Sequence, residues 1–323
     1  MGEPVTADHC RICGKGTGNE RYTVKEMMLG TRDPFEYFEC GSCGTVQIAD
    51  IPDDLGRYYP RDYYSVRGGS RLELFLKARW IRHSLDGRGA LGRLLGHVYG
   101  PHPLAEWTRR SGMRRDSAIL DVGCGDGRLL REMEGAGFVD LTGVDPYLDH
   151  AYRSKHLRVL GTDIHGLERS GFDCIMFHHT LEHLADPGAA LGRAADLLAP
   201  GGAMIIRIPV ASSHAWRTYR ANWVQLDAPR HLHVLSEKAM NLLAEEADLR
   251  VSDVVYDSTA FQFWGSELYA RDVPYAPKPS YRNRPSRKLI PKARMRAYGE
   301  LARELNVRGD GDSACFHLRE AGT

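Results

Sequence analysis

An apolar run, ILDV (119–122), passes into a loop with glycine at every second position, Gly123, Gly125 and Gly127, and then into the amphipathic stretch GRLLREMEGAG. A strand that turns through such a loop into a helix opens a βα unit. Glycine there permits left-handed backbone and lets a ligand approach where a side chain would block it. The pattern continues along the chain. From 117 onward short apolar runs alternate with amphipathic stretches, which implies an α/β fold with a mostly parallel sheet.

AILDV, DLTGVD, LRVLGTD, FDCIMF, AMIIRI and RVSDVVY read as strands one to six, and SACFHLRE as a last strand near the end. PGAALGRAADLLAPGG starts a helix on Pro187, and SEKAMNLLAEEADL starts one that Ser236 is placed to cap. Residues 67 to about 115 are basic and helix-patterned. The segment from about 257 to 311 is far longer than an ordinary connection. It reads as a stretch that carries function or covers a site, or as a disordered excursion around the Pro/Arg run from 277 to 292.

Seven cysteines fall unevenly: Cys10, Cys13, Cys40 and Cys43 form two CxxC pairs, each ending in glycine, and Cys124, Cys174 and Cys315 stand alone. An odd count without an export signal speaks against a disulfide framework. The paired spacing fits a closed Cys₄ zinc ribbon, structural because thiolates fill all four positions. A redox pair is disfavoured, because no βαβ pattern surrounds the cysteines. The net charge of +1 argues against a general nucleic-acid binder. No apolar run approaches the length of a membrane span. The expectation is a cytoplasmic chain with no stable membrane insertion. Its oligomeric state is not legible.

Asp121-x-Gly123-x-Gly125-x-Gly127, Asp145 at the end of strand two, GTDIHGL after strand three, FHHTLEHLADP after strand four and LLAPGG before strand five occur in that order. Together they resemble the class I S-adenosylmethionine-dependent methyltransferases. The resemblance covers 117–256, and 313–319 at the end. It implies a Rossmann-like seven-stranded sheet, preceded by a zinc ribbon (1–62) and a helical linker or lid (63–116), with a methyltransferase domain over 117–323. By the same resemblance Gly123 and Gly125 pass under the methionine part of the cofactor, with Asp121 close by. Asp145 holds the ribose, Asp163 and the Ile164 backbone hold the adenine, and His178 sits beside the sulfonium. Each has a plainer alternative: Asp163 as a helix cap, His178 as a packing residue.

Methyl transfer to a hydroxyl, or to a carbon beside a ketone, requires loss of a proton, a task suited to histidine. His231, in PRHLHVLS after strand five, is the favoured base, with bracing of its loop as the alternative. His179 is a minor candidate, and His183 is expected to orient the loop. The ribbon, the tyrosine-rich YYPRDYYS and the segments NWVQLDAPRHLHVLS and STAFQFWGSELYARD resemble bacterial sugar and surface-polysaccharide methyltransferases. That resemblance implies a small-molecule acceptor, a nucleotide sugar or glycan, methylated on oxygen or carbon. The alternative is RNA or protein as substrate with the ribbon as docking module. Acids near the thiols (Glu20, Glu26, Asp33, Glu36, Glu39) about as numerous as bases disfavour it.

Overall fold

Gly14 and Gly44 each close a cysteine knuckle in left-handed backbone, φ +69° and +72°. Their N–H groups donate to the carbonyls of Cys10 and Cys40, each at 2.8 Å. The first knuckle precedes, and the second connects β2 to β3 within, an antiparallel meander of β1 (Glu20–Lys25), β2 (Pro34–Glu39) and β3 (Val46–Ile48). This computed structural model describes residues 9–59, 70–148, 150–275 and 289–322. Most of the YYPRDYYS tract and of the 277–292 run lies outside them.

Three helices follow: α1 (Arg71–Asp86), α2 (Ala90–Tyr99) and α3 (Pro103–Ser111). Ser70 caps α1 by accepting from Glu73 N–H, and Gly87 and Gly112 end α1 and α3 in left-handed backbone. The large sheet then assembles from β4 (Ala118–Val122), β5 (Asp140–Val144), β6 (Tyr152–Arg153), β7 (Leu157–Leu160), β8 (Phe172–His178) and β9 (Leu198–Pro209). α4 (Arg128–Ala136) follows β4, and α5 (Pro187–Leu197) leads directly into β9. After β9 come α6 (His214–Tyr219), the two-residue β10 (His233–Val234), α7 (Glu237–Glu246), β11 (Leu249–Tyr256), α8 (Phe261–Ala270), α9 (Lys292–Arg308) and β12 (Ser313–Glu320).

The strand order is β11-β12-β9-β8-β4-β5-β7-β6. β7, β5, β4, β8 and β9 run parallel, while β12 is antiparallel between β9 and β11. This is a Rossmann-like sheet with the seven strands expected from the sequence and β6 added as a short eighth strand at one edge. The central strands alternate two apolar faces, as buried parallel strands must. Leu120, Val122, Ile175 and Phe177 pack toward Leu191 of α5 and Met240 of α7. Ile119, Cys174 and Met176 pack toward Leu130 and Met133 of α4 and toward Ile81 and Leu104 of the linker helices.

The ribbon sheet takes its fourth strand from the segment between α6 and α7, far along the chain. β10 pairs antiparallel with β3, His233 opposite Gln47, so the order is β1-β2-β3-β10. One apolar cluster serves both parts: Tyr37, Val46 and Ile48 of the ribbon share it with Trp216, Trp223 and Leu232. The long segment between β11 and β12 is helical at both ends. α8 packs Trp264 and Leu268 into that cluster, and α9 closes over Phe263 through Ala302 and Leu305.

Candidate active site

β4 ends at Val122, and the loop to α4 passes through three left-handed glycines, Gly123, Gly125 and Gly127, with φ of +71°, +56° and +75°. Packing demands two of them as strictly as any ligand would. A Cβ on Gly123 would lie 2.3 Å from Thr180, and one on Gly127 would lie 2.6 Å from Val159. The loop is tied to the end of β5, where Gly125 N–H donates to Asp145 Oδ2 at 2.9 Å. The other oxygen of Asp145 accepts from Tyr147 N–H, also at 2.9 Å.

Beside this loop, at the carboxyl ends of the strands where open α/β sheets bind ligands, lies a cavity of about 430 Å³. Asp121, Gly123, Gly125 and His178 line it, with Lys77, His102 and Trp107 contributed by α1 and α3 and their connection. Asp121 is buried, and its Oδ1 has no partner among the described residues. Burial, with the charge of Asp145 nearby, pushes its carboxyl up to about 8. His178 packs 4.3 Å from the Trp107 ring, its Nε2 has no partner among the described residues, and burial lowers it to about 3. These orphaned atoms suit a ligand that brings both a cation and polar edges, as S-adenosylmethionine does. Asp145, Asp163 and Ile164 are not among the residues that line the cavity, although Asp145 reaches it through its bond to Gly125. Asp163 Oδ1 accepts from Gly166 N–H at 2.9 Å, capping its own turn, and Ile164 is buried in the core.

A second cavity, of about 340 Å³, adjoins the first, and both are lined by Arg207 and Asp257. Arg207 Nε–H pairs with Asp257, and its Nη1 meets Nε2 of His179. His179 stands in left-handed backbone, φ +51°, with Nδ1 3.2 Å from Glu182. Both of its ring nitrogens are therefore occupied. His231 lines the second cavity from the opposite wall. Its Nδ1–H donates to the Gln225 carbonyl at 2.7 Å, which leaves the lone pair on Nε2, and burial lowers the ring to about 4. His233 turns away to the Ala185 carbonyl at 3.3 Å. The sequence did not single out Arg207 or Asp257. A charge inside the otherwise apolar AMIIRI was the available signal for Arg207.

The segment that carries His231 is held by the ribbon. Tyr37 O–H donates to the His231 carbonyl at 2.9 Å, and Ile48 N–H donates to the Leu232 carbonyl at 3.1 Å. Arg230, wholly buried, donates to Glu26 (2.8 Å), to both oxygens of Asp227 and to the Tyr58 carbonyl. Around the knuckle, Ser236 donates to the Cys43 carbonyl and Lys238 to that of Ser42.

The sulfurs of Cys10, Cys13, Cys40 and Cys43 converge, with Cys10–Cys43 and Cys13–Cys40 both at 3.6 Å. Zn–S bonds of about 2.3 Å would set tetrahedral sulfurs about 3.8 Å apart, so the donor set fits zinc. Gln47 Nε2–H donates to Cys10 Sγ at 3.0 Å, the kind of outer hydrogen bond that orients a thiolate ligand.

Residues 97–254 match the model of a family described as a methyltransferase domain. Among curated proteins, a ubiquinone biosynthesis O-methyltransferase of Caulobacter sp. (strain K31) is 34% identical over 149 residues, 38% of this chain and 56% of that protein. A tRNA U34 carboxymethyltransferase of Dichelobacter nodosus is 30% identical over 110 residues, 31% of this chain and 35% of that one. The chain spans about half the length of the first curated relatives it matches, 51–56%. A solved possible histamine N-methyltransferase of Thermotoga maritima is 19% identical with a TM-score of 0.42, covering 75% of this chain and 99% of that one.

Proposed function

We propose that this chain, whose residues 97–254 match a methyltransferase-domain family, uses S-adenosylmethionine to methylate a small polyhydroxylated acceptor, a sugar or sugar-like molecule. The observation that carries the reading is the meeting of two cavities at Arg207 and Asp257. One contains the glycine loop and the orphaned Asp121 oxygen; the other is walled by Gln225, Asp227, Thr259, Gln262 and Asp312 beside His231. Its carboxylates, amides and hydroxyls suit an acceptor rich in hydroxyl groups, with Met28, Val224, Phe261 and Tyr275 as an apolar face for the ring. The ribbon supports the same reading, because its knuckle spends its contacts on Ser236 and Lys238 of its own chain. The cofactor supplies an electrophilic methyl group when bound. Asp121 would meet its cationic methionyl end, the Gly123–Gly125 backbone would lie beneath it, and His178 would flank the sulfonium. Asp145 would add ribose hydroxyls to the two hydrogen bonds it already accepts. Asp163 and Ile164 keep the adenine role only if the Asp163 cap is shared. His231 would activate the acceptor through Nε2, and Arg207 with His179 would orient it. Zinc, held by the four cysteines, would fix the ribbon.

Nucleotide sugars, RNA and protein offered with methyl-labelled cofactor test the reading. Label in a nucleotide sugar or glycan is expected; label confined to RNA or protein would overturn it.

A further inference from the structure

The turn Leu181–His183 places Glu182 and His183 against His231 across the wall of the second cavity, and a ligand atom from each of the three lies within 4.8 Å of the others. Glu182 is 1% exposed, yet no arginine or lysine among the described residues hydrogen-bonds it. Its Oε1 is met only by His179, and Oε2 has no partner among the described residues. A buried carboxylate oxygen left bare is costly unless something pairs with it. The two rings are fixed in a complementary way. His183 Nδ1 lies 2.9 Å from the Arg230 carbonyl and His231 Nδ1 lies 2.7 Å from the Gln225 carbonyl, with the rings edge to face at 4.7 Å. Histidines that ligate metals are held in this way, with one nitrogen donating to a carbonyl and the other presenting its lone pair. Arg230, a wholly buried cation on the same segment as His231, is paired with Glu26 and Asp227.

We propose that Glu182, His183 and His231 form a second metal site, distinct from the four cysteines, that takes a divalent transition ion of the zinc or cobalt kind. Two imidazoles and one carboxylate suit such an ion. Bonds of about 2.1 Å require the three donors to close inward by side-chain rotation. Three protein ligands leave at least one position for water or an acceptor oxygen on the His231 side. The proposal deepens the acceptor reading above and rests on it only for that last role: with the ion bound, His231 Nε2 is a ligand and acts on the acceptor through the metal instead of taking its proton directly.

The test uses the zinc-loaded full chain, passed over a chelating resin that leaves the thiolate site filled and then titrated with Co²⁺. The expected result is two metal ions per chain in total, the cobalt showing weak visible bands and no thiolate charge-transfer band. Glu182→Gln and His183→Gln should lose this ion and keep the thiolate-bound one. One ion in total for the wild-type chain overturns the proposal, and so does a second ion that persists in both variants. Should neither variant fold, the site is read in the wild-type chain by diethylpyrocarbonate mapped with mass spectrometry. The second ion must protect His183 from modification, and unchanged modification overturns the proposal. S-adenosylhomocysteine binding, measured alongside, reports on the methyltransferase reading separately from the metal count.

Discussion

Arg230 donates to Glu26 at 2.8 Å, and neither side chain is exposed to solvent. The pair joins the loop after β1 to the segment that carries His231. Breaking one side of a buried ion pair leaves a charge that nothing compensates, at a cost of roughly 3–5 kcal/mol. Arg230→Met strands both Glu26 and Asp227, so chemical denaturation should show a loss of that size. A loss below about 1 kcal/mol would mean that water reaches the pair.

Removing zinc, by chelation or by Cys40→Ser, should loosen more than the ribbon. Hydrogen exchange should rise over 225–236 as well as over 34–48, because Tyr37, Ile48 and Gln47 hold that segment. S-adenosylhomocysteine affinity should persist, since the glycine loop touches none of these residues. Exchange confined to the ribbon would refute the bracing role.

If the cofactor sits beside Asp121 as proposed, its affinity should depend on pH. Its carboxyl stands at about 8, so below that value it is mostly neutral in the free protein. A cationic ligand beside it favours the carboxylate and lowers its pKa in the complex. Affinity should therefore rise with pH up to about 8 and level off above. Calorimetry across this range should show the slope vanish in Asp121→Asn; an unchanged slope would place the titrating group elsewhere.

Asp145→Ala should weaken S-adenosylhomocysteine binding by roughly 1.5–3 kcal/mol for each charge-assisted hydrogen bond lost. Part of that loss would come from the glycine loop, which Asp145 holds through Gly125. Wild-type affinity in this variant would remove Asp145 from the site.

His231→Ala should leave cofactor affinity intact and lower turnover by roughly 10²–10⁴. The ring, at about 4, is neutral near pH 7. As a base it would lose activity only as pH falls through that value, and the variant should lack that limb. A loss seen in KM alone, with the pH profile kept, would make His231 a brace.

The sheet was legible because every strand from AILDV to SACFHLRE is a compact apolar run bounded by turn residues, and buried parallel strands leave that imprint. β6 and β10 left none, since two-residue strands are defined by their partners. The four cysteines were legible because metal ligation forces a spacing. Asp163 was not decidable for the opposite reason: an aspartate after a strand has the same sequence whether it meets a ligand or caps its own turn, and here it accepts from Gly166 N–H. Arg207 in β9 and Asp257 just past the end of β11 are 50 residues apart in the chain, and their pairing exists only once β12 has brought β9 and β11 into one sheet. Glu182 and His183 lay in view within LEH, but only the return of the chain at His231 makes a third donor.

The pairing of β10 with β3 has a consequence for biosynthesis. Tyr37 and His231 are 194 residues apart in the chain, so a ribosome has made most of the protein before the ribbon meets its last strand. Until then β3 presents a bare edge, the kind of surface that recruits strands from other molecules. Truncated or stalled chains that stop before residue 233 should therefore be the aggregation-prone species.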